Sequence, residues 1–387
     1  MSEQPLVSII IPVFNGSDYL DSAINSALNQ TYPNIEVIVV NDGSTDDGET
    51  EKVALSYGER IRYICKENGG VATAVNVGIR AMAGEYFAWL SHDDYYYPFK
   101  IEKQMEAIKR TGDCMAICHS NFDFVHVGSA YIEHVDWLNC YSTERMQMGA
   151  FAPTFLSIHG GSVLFHKDHF TRVGLYDEKL ITTQDTTFLF NLMKGQKIVF
   201  VNESLFASRI HALQGSKTIS CHKKEWNEML IYFCENLSEQ DKKLFCGSVF
   251  NFYYRMRVMV NDNEKAEEIV PYLEKKLKLY FSKSVCIFGA GVYGKRLLYD
   301  LKQRNVKVTA FIDNDINKRN KTVVGVPCVL PRDISEEEKC TTTVIMGLLN
   351  DQPVIRELKG IGFKRIISYH EISKRLFDSP IEPVYLE

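Results

Sequence analysis

The chain has no Cys-x-x-Cys pair among its ten cysteines. Thiols at that spacing build zinc sites and redox centres, so neither is expected, and scattered thiols fit a reducing compartment. Cys114, Cys118 and His119 are the one close cluster of zinc-ligand types. No second ligand pair accompanies them, so they are read as packing residues. No stretch approaches the roughly 18 uncharged apolar residues of a membrane span. The opening MSEQPLVSIIIPVF has no basic leader, so a secretory signal is not expected. Positive charge is not in excess: 44 Lys and Arg stand against 49 Asp and Glu, a formal net charge of −5. A general nucleic-acid binder would show a basic footprint. Short repeats and low-complexity tracts are also missing. These absences lead to a cytoplasmic location, with a peripheral place on the inner face of a membrane left open.

What is present is an α/β pattern. The 387 residues are 45% hydrophobic and 24% charged, enough for two sizeable cores. LVSIIIPVF and IEVIVVN are β-branched runs of the kind buried on both faces of a sheet, RIRYIC and EYFAWL are further strands, and helical spacing separates them. This alternation predicts a doubly wound, mostly parallel sheet. KIVFVNESLFASRIH reads as a strand pair, and residues 220–282 read as a helical connector. A second α/β unit starts at KSVCIFGAGVYGKRLL, giving domains at 1–219, 220–282 and 283–387.

Open α/β sheets bind ligands at the carboxyl ends of their strands. There the first four strands place Pro12, Phe14 and Asn15, then Asn41 and Asp42, then Asn68, Gly69 and Gly70, then Asp93 and Asp94. Asp, Asn and Gly with one aromatic on a common rim read as a site. Each also has a plainer reading. Asp42-Gly43 makes an Asx turn, Gly69-Gly70 a bare turn, Asp93-Asp94 a solvated turn, and Phe14 a core aromatic.

Four strings in order, VSIIIPVFNGSDYL…VIVVNDGSTDD, KENGGVATAVNVGIRAMAGEYFAWLSHDDYYYP, VGLYDEKLITTQD and SRIHALQGS, make residues 6 to about 215 resemble the family 2 glycosyltransferases of the GT-A fold. The resemblance implies an inverting transferase that takes a sugar from a nucleoside diphosphate, UDP expected, to a hydroxyl of a glycan or lipid-linked oligosaccharide in cell-surface polysaccharide synthesis. It implies that Asp93 is the metal-binding aspartate of the D-x-D motif, with Mn2+ or Mg2+ as cofactor and His211 approaching the metal or diphosphate. Ser91 stands where many relatives carry the first aspartate. It adds no charge but can bond a ribose hydroxyl, and His92 lies beside it. Asp94 would lie behind the metal or face the sugar. Asp42 would accept the uracil imide, Pro12 and Phe14 would line the base, and Asn68 with Gly70 would let backbone approach the nucleotide. Asp185 matches the general base, in Gln184-Asp185 where the family shows Glu-Asp; its alternative is a helix N-cap. His159 to Lys167, HGGSVLFHK, would shape the sugar and acceptor pocket.

In the tail, Gly289, Gly291 and Gly294 form G-x-G-x-x-G between a strand and a helix, and Asp313 ends the next strand 19 residues after Gly294. That context meets the dinucleotide fingerprint. It resembles Rossmann-type modules, and a nucleotide or dinucleotide is the expected ligand. No Tyr-x-x-x-Lys pair follows Asp313, so a binding or docking module is favoured over a second active site. Two alternatives stay open: a bifunctional protein whose tail acts on a sugar nucleotide with NAD, and a nucleotide-binding scaffold with an inactive transferase site.

Overall fold

The computed structural model describes residues 4–129, 131–212, 214–247, 249–260, 266–281, 284–303 and 306–368. The chain forms two compact units, Met1–Met229 and Leu230–Glu387. The expected boundary at 282/283 lies outside the described residues. The helix read as the start of the connector, His222–Asn236, begins inside the first unit.

The first unit is built on a nine-stranded sheet. Strands β1 Val7–Val13, β2 Ile35–Asn41, β3 Arg62–Cys65 and β4 Tyr86–Trp89 lie in the order β3-β2-β1-β4, all parallel. β1 is buried along its whole length, as its unbroken apolar run requires. Alternate residues feed two cores: Val7, Ile9, Ile11 and Val13 on one face, Ile10 with Ile38 and Trp89 on the other. The register sets Val13 opposite Asn41 and Ile10 opposite Trp89, and Asn41 opposite Cys65. The loops after all four strands therefore emerge on one edge.

Beyond β4 the parallel expectation fails. β5 is Tyr95–Tyr96, β6 Ile117–His126, β7 Ile132–Val135, β8 Val163–His166 and β9 Ile198–Ile210. β8 runs antiparallel to β4 and β6, β7 antiparallel to β6, and β5 antiparallel to β9; only β6 and β9 are parallel. The sheet is mixed because these strands are not joined by helical crossovers of the first kind. The expected strand pair at 197–211 is one strand. Its register shifts against Asn121, leaving Asn202 and Glu203 as a bulge, and that irregularity breaks the alternation.

β5 follows β4 after only five residues, 90–94, yet stands four places away in the order β4-β8-β6-β9-β5. Four inter-strand spacings in a flat sheet need about 19 Å. A six-step link reaches about 20 Å only when fully extended. This link is not extended, since the Asp94 N–H turns back to the Ser91 carbonyl at 3.1 Å. The sheet must curl between β4 and β5, and residues 90–94 span that curl from a central strand to the β5 edge.

In the second unit, β10 Val285–Phe288, β11 Val308–Ile312, β12 Thr322–Val323, β13 Val326–Val329, β14 Thr343–Met346 and β15 Arg365–Ile367 form a sheet in the order β12-β13-β11-β10-β14-β15. All neighbours are parallel except β12 and β13. Its core includes Phe288, Ile312, Val344, Met346, Leu358 and Phe363. No helix among the described residues is long and apolar enough to cross a membrane.

Candidate active site

The edge loops of the first unit are tied to one another before any ligand is considered. The Asn15 N–H donates to Ser44 Oγ at 2.9 Å, and Asn15 Oδ1 accepts the Thr45 N–H at 2.7 Å. A Cβ on Gly16 would stand 2.1 Å from the His92 ring, so only glycine lets that ring pack there. His92 hydrogen-bonds the Pro12 carbonyl, and burial pushes its pKa down. Phe14 is 43% exposed, which makes it a rim residue and not a core aromatic.

Asp42 is buried and held by the loop after β3. Oδ1 accepts Lys66 Nζ at 2.5 Å and the Gly69 N–H at 3.0 Å; Oδ2 accepts the Gly70 N–H at 2.7 Å. Gly43 has φ +69°, and a Cβ on it would lie 2.6 Å from the Asn68 nitrogen, so the second and third loops touch backbone to backbone. Lys66 also donates to Thr73 Oγ1 at 2.8 Å. Its place was not legible: a lysine 24 residues from its partner carries no local signal.

The two neighbouring aspartates separate. Asp93 is partly exposed, and its Oδ2 meets His211 Nε2 at 3.0 Å. Asp94 is buried: its Oδ1 accepts the Arg209 backbone N–H at 2.9 Å. Burial, then the charge of Asp93, raises the Asp94 carboxyl well above the usual range, against opposing bonds from Arg209 and Ser208. Arg209 went unassigned in the sequence, although it organises this corner. Nη1 donates to the Asp93 carbonyl at 2.7 Å and Nη2 to Ser22 Oγ at 2.8 Å, while the guanidinium lies over the Tyr95 and Tyr19 rings. Ser91 opens the turn that delivers both acids. Among the described residues no three His, Cys, Asp or Glu side chains converge as a metal cage.

Asp185 lies in the first turn of helix Gln184–Met193, whose N-cap is Thr183. Oδ1 accepts the Thr186 N–H at 2.7 Å. Oδ2 faces Gly160, where an added Cβ would be 3.7 Å from it and 3.3 Å from the Trp89 ring. His159 packs on Phe206 at 4.7 Å, its Nδ1 accepts the Gly161 N–H at 3.2 Å, and burial keeps its pKa low. That bond assigns the proton of the neutral ring to Nε2. The charges of Asp185 and Asp93 both oppose that lowering. The Gln184 side-chain oxygen is buried without a hydrogen-bond partner.

The glycine loop of the second unit divides its labour. Gly289 has φ +93°, and a Cβ on Gly294 would lie 1.8 Å from the Gly289 carbonyl oxygen, so both serve tight packing. Nothing lies within 4 Å of a Cβ on Gly291. Asp313 is engaged by its own surroundings: Oδ2 accepts the Ala290 N–H at 2.9 Å and Lys318 Nζ at 2.8 Å, and Oδ1 the Asp315 N–H at 3.0 Å. Burial would raise Asp313, but these donors outweigh it and hold the carboxyl below its usual range.

A family model described as Glycosyl transferase family 2 matches residues 8–173, and one described as C2185-like, N-terminal, matches residues 281–357. An uncharacterized glycosyltransferase of Rickettsia bellii is 43% identical over 251 residues, covering 65% of this chain and 36% of the relative. One from Rickettsia prowazekii is 41% identical over 259 residues, covering 67% of this chain and 81% of the relative. The chain spans less than half the length of several such relatives, 36%, 43% and 49% in Rickettsia bellii, Rickettsia conorii and Rickettsia felis. Among solved structures, the mannosyltransferase PcManGT from Pyrobaculum calidifontis, in complex with GDP-Man and Mn2+, matches at a TM-score of 0.50 and 14% identity, covering 79% of this chain and 82% of that one. The likeness is one of fold.

Proposed function

Since the chain belongs to glycosyl transferase family 2, we propose that it moves a sugar, with inversion, from a nucleoside diphosphate to a hydroxyl of a glycan or lipid-linked oligosaccharide. UDP is the expected nucleotide. The observation that carries the reading is the set of acids at the strand ends: Asp93 against His211, Asp42 cradled by the third loop, and Asp185 facing Gly160 beside the ring of Trp89, the last residue of β4.

In this reading the exposed Phe14 ring stacks on the base and Asp42 Oδ2 accepts the ring imide proton beside its bond from Gly70. Ser91 bonds a ribose hydroxyl, with His92 fixing the loop through Pro12. A carboxylate oxygen and an imidazole nitrogen in contact, both partly exposed, suit Mn2+ and less well Mg2+, so Asp93 and His211 would hold such a cation with donor phosphates completing the set. The GDP-Man and Mn2+ carried by PcManGT support a divalent ion in this fold. When bound, the cation neutralises charge on the departing diphosphate. Asp185 removes the acceptor hydroxyl proton while that oxygen bonds to the anomeric carbon and the sugar–phosphate bond breaks on the opposite face. Asp94 supports the turn from behind, as its burial favours.

The test is a panel of UDP- and GDP-sugars with Mn2+, reading nucleotide release and transfer. Metal-dependent release, lost in Asp93→Ala, is expected. Asp185→Asn should lose transfer and keep nucleotide binding. A wild-type protein that binds no nucleotide with or without Mn2+ sinks the proposal in favour of an inactive scaffold. For the second unit we propose a binding or docking role. The engagement of Asp313 by Ala290 and Lys318 disfavours NAD chemistry there, and an absorbance change of nicotinamide dependent on Gly291 would reverse that view.

A further inference from the structure

Glu225 lies 40 residues after Asp185 in the chain and beyond the stretch that the family model matches. It is 7% exposed, on helix His222–Asn236. Its carboxylate closes on the three residues that lead into the helix bearing Asp185. Oε1 accepts the Ile181 N–H at 2.9 Å. Oε2 accepts the Thr182 N–H at 2.7 Å, the Thr182 hydroxyl at 2.8 Å and the Thr183 N–H at 3.2 Å. Three consecutive backbone N–H groups thus point at one anion.

The helix has need of such an anchor. Thr183, its N-cap residue, makes no side-chain cap bond, and Asp185 commits Oδ1 to the N–H of its own neighbour. A negative charge at a helix N-terminus is favourable. Burial would raise Glu225, but the bonds from Ile181, Thr182 and Thr183 outweigh it and hold the carboxyl below its usual range. The group is therefore an anion that the backbone of this loop neutralises.

We propose that Glu225 is a positioning residue for Asp185: by pinning the main chain of Ile181, Thr182 and Thr183, it sets where Asp185 Oδ2 stands against Gly160 and the acceptor hydroxyl. This rests on reading Asp185 as the base. Misplacing a reacting group by about 1 Å costs on the order of 100-fold in rate. The donor side is held separately. Asp42 is fixed by the loop after β3, and Asp93 by Arg209 and His211. Loss of Glu225 therefore falls on the chemical step and spares nucleotide affinity.

The test uses the full chain with Glu225→Ala, Glu225→Gln and the milder Thr182→Val, which deletes one hydroxyl donor. Metal-dependent nucleotide release from the sugar nucleotide accepted in the panel gives kcat and KM. Calorimetric titration of UDP with Mn2+ gives affinity, and amide hydrogen exchange reads residues 181–186. For Glu225→Ala we expect kcat to fall at least 30-fold, KM and UDP affinity to stay within about twofold, and exchange to quicken at 181–186 alone. Glu225→Gln keeps one acceptor oxygen and should fall between. Formate should restore part of the Glu225→Ala rate and none of the Asp185→Asn rate. The proposal is overturned if kcat stays within threefold of wild type, if kcat and UDP affinity fall together, or if exchange at 181–186 is unchanged. The last outcome is read without turnover. It therefore differs from failure of the transferase reading, in which the wild-type protein itself releases no nucleotide.

Discussion

Arg209 Nη1 donates to the Asp93 main-chain carbonyl at 2.7 Å, while the Arg209 backbone N–H is itself held by Asp94 Oδ1 at 2.9 Å. One residue thus grips both members of the acid pair, by opposite ends. The two carboxylates have different surroundings, since one is turned to the cleft and the other into β9. Lysine cannot reproduce the forked contact with Asp93 and Ser22 or the stacking on Tyr95 and Tyr19. Arg209→Lys should weaken apparent Mn2+ affinity about tenfold, read as the midpoint of a Mn2+ titration of nucleotide release. An unmoved midpoint would show that Asp93 needs no such grip.

Gly16→Ala should damage the nucleotide rim through sterics alone. The new methyl would meet the His92 ring at 2.1 Å, and His92 would lose its seat on Pro12. Overpacking of this kind costs about 1–3 kcal/mol. Chemical denaturation should report that loss, and calorimetry a weaker UDP affinity. Unchanged stability would mean that His92 swings away freely.

Lys100 is fully buried, 2.8 Å from Gln104 Oε1 and 4.2 Å from the centre of the Tyr96 ring. Burial pushes its pKa down to about 7 from an ordinary 10.5. In the unfolded chain the amine binds its proton up to the higher value. Between about 7 and 10.5 the unfolded state therefore holds more protons, and stability rises with pH across that window. Denaturation midpoints collected from pH 6.5 to 9.5 should climb in the wild type relative to Lys100→Met. Parallel curves for the two proteins would contradict this.

Gly160→Ala would set a methyl 3.3 Å from Trp89 and 3.7 Å from Asp185 Oδ2. It occupies space on the acceptor side without touching Asp42, Asp93 or His211. Transfer should fall about tenfold while UDP affinity holds. A matching drop in affinity would place Gly160 on the donor side instead.

The parallel half of the fold was legible because strands buried on both faces leave continuous β-branched runs, as in β1. The edge acids were legible because strand–turn–helix spacing exposes them there. The curl was not. It depends on β5, two residues long, pairing with β9 more than a hundred positions away. The bulge at Asn202 and Glu203 made one strand read as two. Side-chain direction was the other blind spot. Charge and spacing alone do not distinguish Asp93 from Asp94, which only the family resemblance separated; their different partners come from Arg209 on β9. Lys66 on Asp42 and Glu225 on the loop before Asp185 are likewise tertiary pairings between segments whose own patterns give no hint of them. Spacing located the acids; the partners that decide what each acid does came from folding.

The link from β4 to β5 gives residues 90–94 a duty apart from chemistry. It is the strap that draws the β5 edge back toward the central strand β4, so its residue count sets how tightly that half of the sheet curls. Side chains along it can be exchanged one at a time with local effects. A single insertion or deletion between Leu90 and Asp94 would instead resize the mouth of the site and displace Arg209, His211 and the Gly16 loop at once.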